Sequence, residues 1–337
     1  MTLLTVESTP RLARPSTAIV LVAALHILGW GTLLVTAAVA GPAGAANGLL
    51  ATGLAAYALG LRHAFDADHI AAIDNTTRRL LERGLPARNV GTWFALGHST
   101  VVFGLSVVLA WGAASVAGAL AQDTSLLHQI TGVWGPSVSS AFLLLLAALG
   151  IGALVSRRRG GLPGGPVWRA LSSMEGAVDR PSRMFGVGLL FGLGFDTATE
   201  IGLLALAGTA AATALPWWLV LALPVIFAAG MTALDTAQAA VAHRAYSFPD
   251  RERRTLSGYA TWMALISVAV AVIVALVQLS GVASELWGWQ GPTAWLAGLA
   301  IDDLGIWLTA ALLVTWLSLL TVTAVRARSA RARSARG

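Results

Sequence analysis

Read along the chain, apolar residues gather into eight blocks at roughly 18–40, 48–74, 92–121, 138–155, 185–207, 216–240, 257–280 and 302–325. About 20 apolar residues suffice to cross the hydrocarbon layer of a bilayer, so each block is a candidate transmembrane helix. The second and third are long enough to tilt or to project beyond the lipid. The eighth is the least sharply bounded, because Asp302 and Asp303 sit at its start. The pattern predicts an all-α, polytopic integral membrane protein with about eight transmembrane helices. It reads as a single transmembrane domain over residues 1–325, followed by a Ser/Ala/Arg-rich tail over 326–337 expected to be disordered.

Composition agrees with the blocks. The chain is 56% hydrophobic and 11% charged, with a mean hydropathy of +0.74, values that belong to membrane proteins rather than soluble domains. No cleavable signal is expected, since Arg11 and Arg14 precede an apolar run too long for a signal core. Cysteine is absent, so thiolate metal sites and disulfides are excluded. All 22 basic residues are Arg. Such a basic balance would suit nucleic acid, but their positions argue for a lipid boundary. Arg11 and Arg14 precede the first block, and Arg78, Arg79, Arg83 and Arg88 follow the second. Six more lie in 156–183, Arg244, Arg251, Arg253 and Arg254 follow the sixth, and the remainder, apart from Arg62, sit in the tail. The intervening connections carry no Arg. Positive residues mark the cytoplasmic side, so an eight-span chain has both termini in the cytoplasm. The 156–183 connection, with Gly160-Gly161 and Gly164-Gly165 around Pro163, reads as a flexible basic loop facing lipid head groups. Trp217, Trp218, Trp287, Trp289 and Trp295 fall near the opposite boundary, as an aromatic belt would.

The exception, Arg62, opens the most polar stretch inside any block, Arg62-His63-Ala64-Phe65-Asp66-Ala67-Asp68-His69-Ile70. A charge at the bilayer centre costs several kcal/mol, so these groups must pair, face protein, or serve a purpose. On one continuous helix Arg62, His63, Asp66 and His69 would share an arc of roughly 120°, with Asp68 pointing almost the opposite way. That face suits a cation, although Asp66 could also be no more than the ion-pair partner of Arg62. His26 lies in the first block, His98 in the third, Asp196 and Glu200 in the fifth and Asp235 in the sixth. At about 1.5 Å per residue these groups converge on a layer between the midplane and the cytoplasmic half, the depth expected of a transport site. Duller readings exist: His26 as a packing residue, Asp74 as a helix-end cap, His98 as a helix-start feature. The fourth and seventh blocks carry no ionisable group and read as scaffold. Carboxylates outnumber Arg62 inside the blocks, which favours a cation, and imidazole with carboxylate suits Ni, Co and Zn rather than Mg or Ca.

RHAFDADHI resembles the second-helix signature of the nickel/cobalt transporter (NiCoT) family, secondary permeases for Ni2+ and Co2+. LGHSTVV (96–102), LGFDTATE (193–200) and GMTALDT (230–236) resemble the motifs of its third, fifth and sixth helices, in order and at matching spacing. The resemblance implies that His63, Asp66, Asp68 and His69 recognise metal, that His98, Asp196, Glu200 and Asp235 support them, and that His26 bears on metal choice. One departure is Gln238, where the sixth-helix motif usually has a second Asp. The implied function is uptake of Ni2+ or Co2+ through the cell membrane, with the ion as substrate and no tightly bound cofactor. No P-loop is present, so no ATPase subunit is implied, and neither is a nucleic-acid partner; oligomeric state is not encoded in these motifs. An efflux permease of the same superfamily is the alternative, and an intramembrane metallohydrolase a more distant one, lacking HExxH.

The Arg distribution makes one direct forecast. Reporter fusions in the 78–90, 156–183 and 244–254 connections should all report a cytoplasmic location, and an outer location for any of them would break the eight-span arrangement.

Overall fold

The computed structural model describes residues 16–39, 43–110, 126–159, 178–194, 203, 217–247 and 257–289, with scattered positions between 291 and 321. Among these, all regular structure is helical. The apolar blocks become α1 (Thr17–Val39), α2 (Ala43–His63), α3 (Ala67–Glu82), α4 (Val90–Ala110), α5 (Leu126–Arg159), α6 (Met184–Phe191), α7 (Trp217–Tyr246) and α8 (Ser257–Trp287). Within the eighth block the described residues, among them Gly305, Trp307, Val314 and Leu317, are helical too. Among the described residues, five stretches are long and apolar enough to cross a membrane by length and composition: Thr17–Ala38, Val90–Val108, Gly132–Ser156, Leu221–Tyr246 and Thr261–Trp287. The chain is therefore an all-α, multi-pass membrane protein. The tail from residue 326 and most of the 156–183 connection lie outside the described residues.

The second block departs from expectation. It is two helices, α2 and α3, separated at Ala64–Asp66. Here the bonds shorten to three-residue turns, Phe65 N–H to Arg62 O at 3.0 Å and Asp66 N–H to His63 O at 2.9 Å. Asp66 then takes an extended conformation (φ −64°, ψ 138°) and precedes the first turn of α3. Charge explains the position. Arg62 and His63 close α2, where the negative end of the helix dipole favours cations, while Asp68 lies in the first turn of α3, where the positive end favours anions. The single 120° binding face expected of a continuous helix is thus replaced by two helix ends meeting.

From Ala67 to Leu80, α3 is buried at every position except Asp68, which is half-buried. It packs against α4, α5, α7 and α8. Ile73 and Leu80 join Phe94 of α4, Leu143 and Leu146 of α5, Phe191 of α6 and Val274 of α8 in one apolar cluster. A second cluster joins α1, α2, α4 and α7 through Leu33, Ala56, Ala95, Ile226, Phe227 and Met231. A helix so enclosed must have its polar groups met from outside. Asp74 accepts from Tyr246 Oη and Ser267 Oγ, each at 2.8 Å. Asn75 donates to the Ser267 carbonyl at 3.1 Å, and Arg78 donates to Glu82 at 2.8 Å and to Asn75 at 3.3 Å. Arg78 and Arg79, read above as the start of a connection, are buried within α3, and Asp74 is a bridge between helices rather than a cap.

Backbone contact sets the depth of α4 against α7. A Cβ at Gly91 would lie 2.1 Å from the Asp235 carbonyl oxygen, and one residue on, Thr92 Oγ1 meets Thr236 Oγ1 at 2.8 Å. Gly91→Val should therefore cost at least the roughly 1–3 kcal/mol typical of overpacking, read as lost abundance and a lowered melting temperature in detergent. Gly104→Val on the same helix, where nothing lies within 4 Å of the added Cβ, should leave both unchanged.

Candidate metal centre

The break between α2 and α3 builds the site. It leaves His63 as the last residue of α2 and His69 in the first turn of α3, and α4 brings His98 against both. The three rings lie with centroids 4.6 Å (His63–His69), 4.8 Å (His63–His98) and 4.9 Å (His69–His98) apart. Each offers a nitrogen within 4.8 Å of the others, and all three side chains are buried. Phe94 stands edge-on to His69 at 4.7 Å, and Phe227 flanks His63 at 5.6 Å, so the group is walled by aromatic rings.

Carboxylates stand behind two of the three histidines. Asp66 Oδ2 lies 2.7 Å from His63 Nδ1. A carboxylate oxygen offers only lone pairs there, so Nδ1 carries the proton and Nε2 keeps its lone pair. That Nε2 faces His98 Nε2 at 3.0 Å, and two ring nitrogens so close need a proton or a cation between them. Asp235 Oδ2 lies 3.6 Å from His69 Nδ1, a second carboxylate behind an imidazole. Asp235 is fully buried, and neither of its oxygens has a hydrogen-bond donor among the described residues; the same holds for Thr232 Oγ1 one turn earlier. A buried carboxylate in that state is a strong attractor for positive charge.

The remaining candidates divide. Arg62, with its side chain 31% exposed, reaches Asp66 Oδ1 at 3.3 Å, so Asp66 serves both Arg62 and His63. Both Asp68 oxygens are engaged by neutral donors: Oδ1 accepts the His69 backbone N–H at 2.9 Å and Oδ2 accepts from Gln278 Nε2 at 3.3 Å. His26 is not with the three histidines. Its Nδ1 donates to Val22 O at 2.8 Å, which leaves Nε2 to accept from Tyr57 Oη at 3.2 Å, and it ties α1 to α2. Asp196 and Glu200 lie outside the described residues. Gln238 donates to the Ile70 carbonyl at 3.4 Å, so the neutral side chain at that position joins α7 to α3.

Gln278, Ser139 and Ser140 are absent from the candidates named above, and they come from the two blocks read as scaffold. Their signal was present as polar positions in apolar runs, but a neutral amide or hydroxyl is too common in membrane helices to stand out.

The family model described as high-affinity nickel-transport protein (NicO) matches residues 49–160 and 165–322. The nickel transporter NicT of Mycobacterium tuberculosis is 44% identical over 321 residues, covering 89% of this chain and 86% of that protein. The nickel transporter NixA of Staphylococcus aureus is 36% identical over 321 residues, covering 89% and 91%. The cobalt transport protein NhlF of Rhodococcus rhodochrous is 39% identical over 269 residues, covering 74% and 75%. No solved structure matches the chain. With the match running from α2 into the last span, and with the RHAFDADHI resemblance pointing the same way, the chain belongs to the NicO family of high-affinity nickel-transport proteins.

Proposed function

We propose that this protein takes up Ni2+ or Co2+ through the cell membrane into the cytoplasm, using His63, His69 and His98 as the imidazole donors to the ion. The observation that carries the reading is the convergence of three buried imidazoles with carboxylates behind two of them. Nitrogen donors bind a late divalent metal at about 2.0–2.1 Å, so neighbouring donors stand about 2.9–3.4 Å apart around it; the 3.0 Å between His63 and His98 fits. Neutral imidazole with carboxylate selects Ni, Co and Zn over Mg and Ca, and the absence of cysteine rules out thiolate donors.

The relatives named for nickel and for cobalt support the same substrate class. Family members are transporters, which sets the metallohydrolase reading aside. Asp66 is placed to orient His63 so that its far ring nitrogen faces the ion, as carboxylates behind metal-bound histidines do, and Asp235 adds negative charge 3.6 Å behind His69. Asp68 contributes charge beside His69. Asp196 and Glu200 are proposed to complete the approach from the fifth span, and His26 to bear on metal choice through its contact with Tyr57. The ion is driven by membrane potential or a coupled ion.

Radiolabelled Ni2+ and Co2+ uptake, each competed by the other and by Zn2+, is the test. Changing His63, His69 or His98 to Ala should abolish high-affinity uptake while abundance stays normal; uptake retained in all three would reject the site. Asp66→Asn alone is ambiguous, because it also strips Arg62 of a carboxylate at 3.3 Å. Arg62→Leu with Asp66→Leu removes both charges together. We expect that double variant to recover abundance and still to lack uptake, since His63 is no longer oriented. Recovered uptake would confine Asp66 to pairing with Arg62.

His26→Asn should alter the Co-to-Ni uptake ratio more than total uptake, because it disturbs the α1–α2 contact without touching the three histidines. An unchanged ratio in competition assays would leave His26 as a packing residue.

A further inference from the structure

Gln278 is a buried amide, 4% exposed, in the middle of the apolar helix α8. An amide removed from water without partners costs roughly 1–3 kcal/mol, and here its partners have a direction. Oε1 accepts from Ser139 Oγ at 2.9 Å and from Ser140 Oγ at 3.1 Å, both on α5. Ser140 Oγ also lies 3.3 Å from the Ala275 carbonyl, one turn before Gln278. Both serines are buried as well. With its oxygen engaged by two hydroxyls, the amide turns Nε2 toward Asp68 Oδ2 at 3.3 Å. The opposite orientation would set an amide oxygen against a carboxylate oxygen, so the polar set has one consistent arrangement. The other Asp68 oxygen takes the His69 N–H, one of the free donors at a helix start. Asp68 is thereby held at both oxygens.

The nature of the holder matters. Asp66 is held by a cation, Arg62, which offsets its charge. An amide donor fixes a carboxylate and leaves the charge uncompensated, available to a divalent ion. A Lys or Arg at position 278 would hold Asp68 as well and cancel it. We propose that Gln278, oriented by Ser139 and Ser140, is a positioning residue that keeps Asp68 as an uncompensated carboxylate beside the histidine cluster. This rests on the reading of that cluster as the transport site.

The experiment is radiolabelled Ni2+ uptake as a function of concentration, with abundance measured in the same membranes. Gln278→Leu should raise the half-saturating Ni2+ concentration roughly tenfold, the scale set by losing a partner of a metal-site residue, with maximal rate per protein largely kept. Gln278→Lys should be worse than Gln278→Leu, because it adds cancellation to displacement. Adding Gln278→Leu to Asp68→Asn should have no further effect on half-saturation, since the amide then has no charge to position. A fall in maximal rate with half-saturation unchanged, or additive effects in the double variant, would make Gln278 a packing residue and overturn the inference. Should Gln278→Leu fail to reach the membrane, Ser139→Ala with Ser140→Ala decides instead: raised half-saturation supports the inference, and unchanged half-saturation overturns it. Failure of the underlying site shows differently. Wild-type uptake by Asp68→Asn would remove Asp68 from the transport path, whereas a defective Asp68→Asn beside a normal Gln278→Leu defeats this inference alone.

Discussion

The 2.7 Å contact between Asp66 and His63 spans the point where α2 stops and α3 begins, and most of the polar architecture depends on that interruption. Were residues 48–74 one helix, His63 and His69 would stand six residues apart on it, and their rings would be separated by more than a full turn. The break folds the segment so that the ring centroids come within 4.6 Å. It also frees backbone donors at the start of α3, one of which Asp68 accepts. The neighbouring chain is shaped to this geometry: a Cβ at Gly305, in the last apolar block, would lie 1.9 Å from the Phe65 carbonyl oxygen, so the backbone itself abuts the break.

The enclosure of α3 follows from the same constraint. A segment carrying Asp68, His69, Asp74, Asn75 and Arg78 cannot face hydrocarbon, since each unmet polar group there costs several kcal/mol. It is instead the innermost helix, and the outer helices supply both its apolar packing and its hydrogen bonds: Tyr246 and Gln238 from α7, Ser267 and Gln278 from α8. Apolar side chains make up the outward surface of α1, which exposes Ile19, Ile27, Leu28 and Val35. Burial in this protein is arranged by polarity, with the polar helix central and the apolar ones outside.

Hydropathy made the all-α, multi-pass architecture legible, because length and apolarity are what a bilayer demands, whereas Arg78 and Arg79, read as part of a connection, are buried within α3. His63, His69 and His98 were legible for a related reason: an ionisable group in an apolar run is expensive and so conspicuous. The break in the second block was harder. Averaging over some 20 residues hides three residues of irregular backbone, although Arg62 and His63 followed by Asp66 and Asp68 is the charge order of a helix end meeting a helix start. His26 had the residue type and depth of a ligand, and its contacts with Val22 and Tyr57 could not be foreseen from spacing. Gln278 was invisible because its importance lies in which carboxylate it faces, a tertiary fact that no local pattern encodes. Asp196 and Glu200 lie outside the described residues.

Charge balance joins these pieces. A divalent ion entering a low-dielectric layer needs compensation close at hand, because neutral imidazoles bind it without reducing its charge. Among the described residues near the histidines, Asp66 is matched by Arg62, while Asp68 is held by an amide and Asp235 faces an imidazole. Two carboxylates thus stand without a cationic partner in these contacts, which suits an ion of charge two. A site with more negative charge would hold the ion too firmly to release it, and one with less would leave the ion's hydration unreplaced. On the proposed reading, the pairing of Arg62 with Asp66 lets a carboxylate stand against His63 without adding to the charge that a transported ion would have to leave behind.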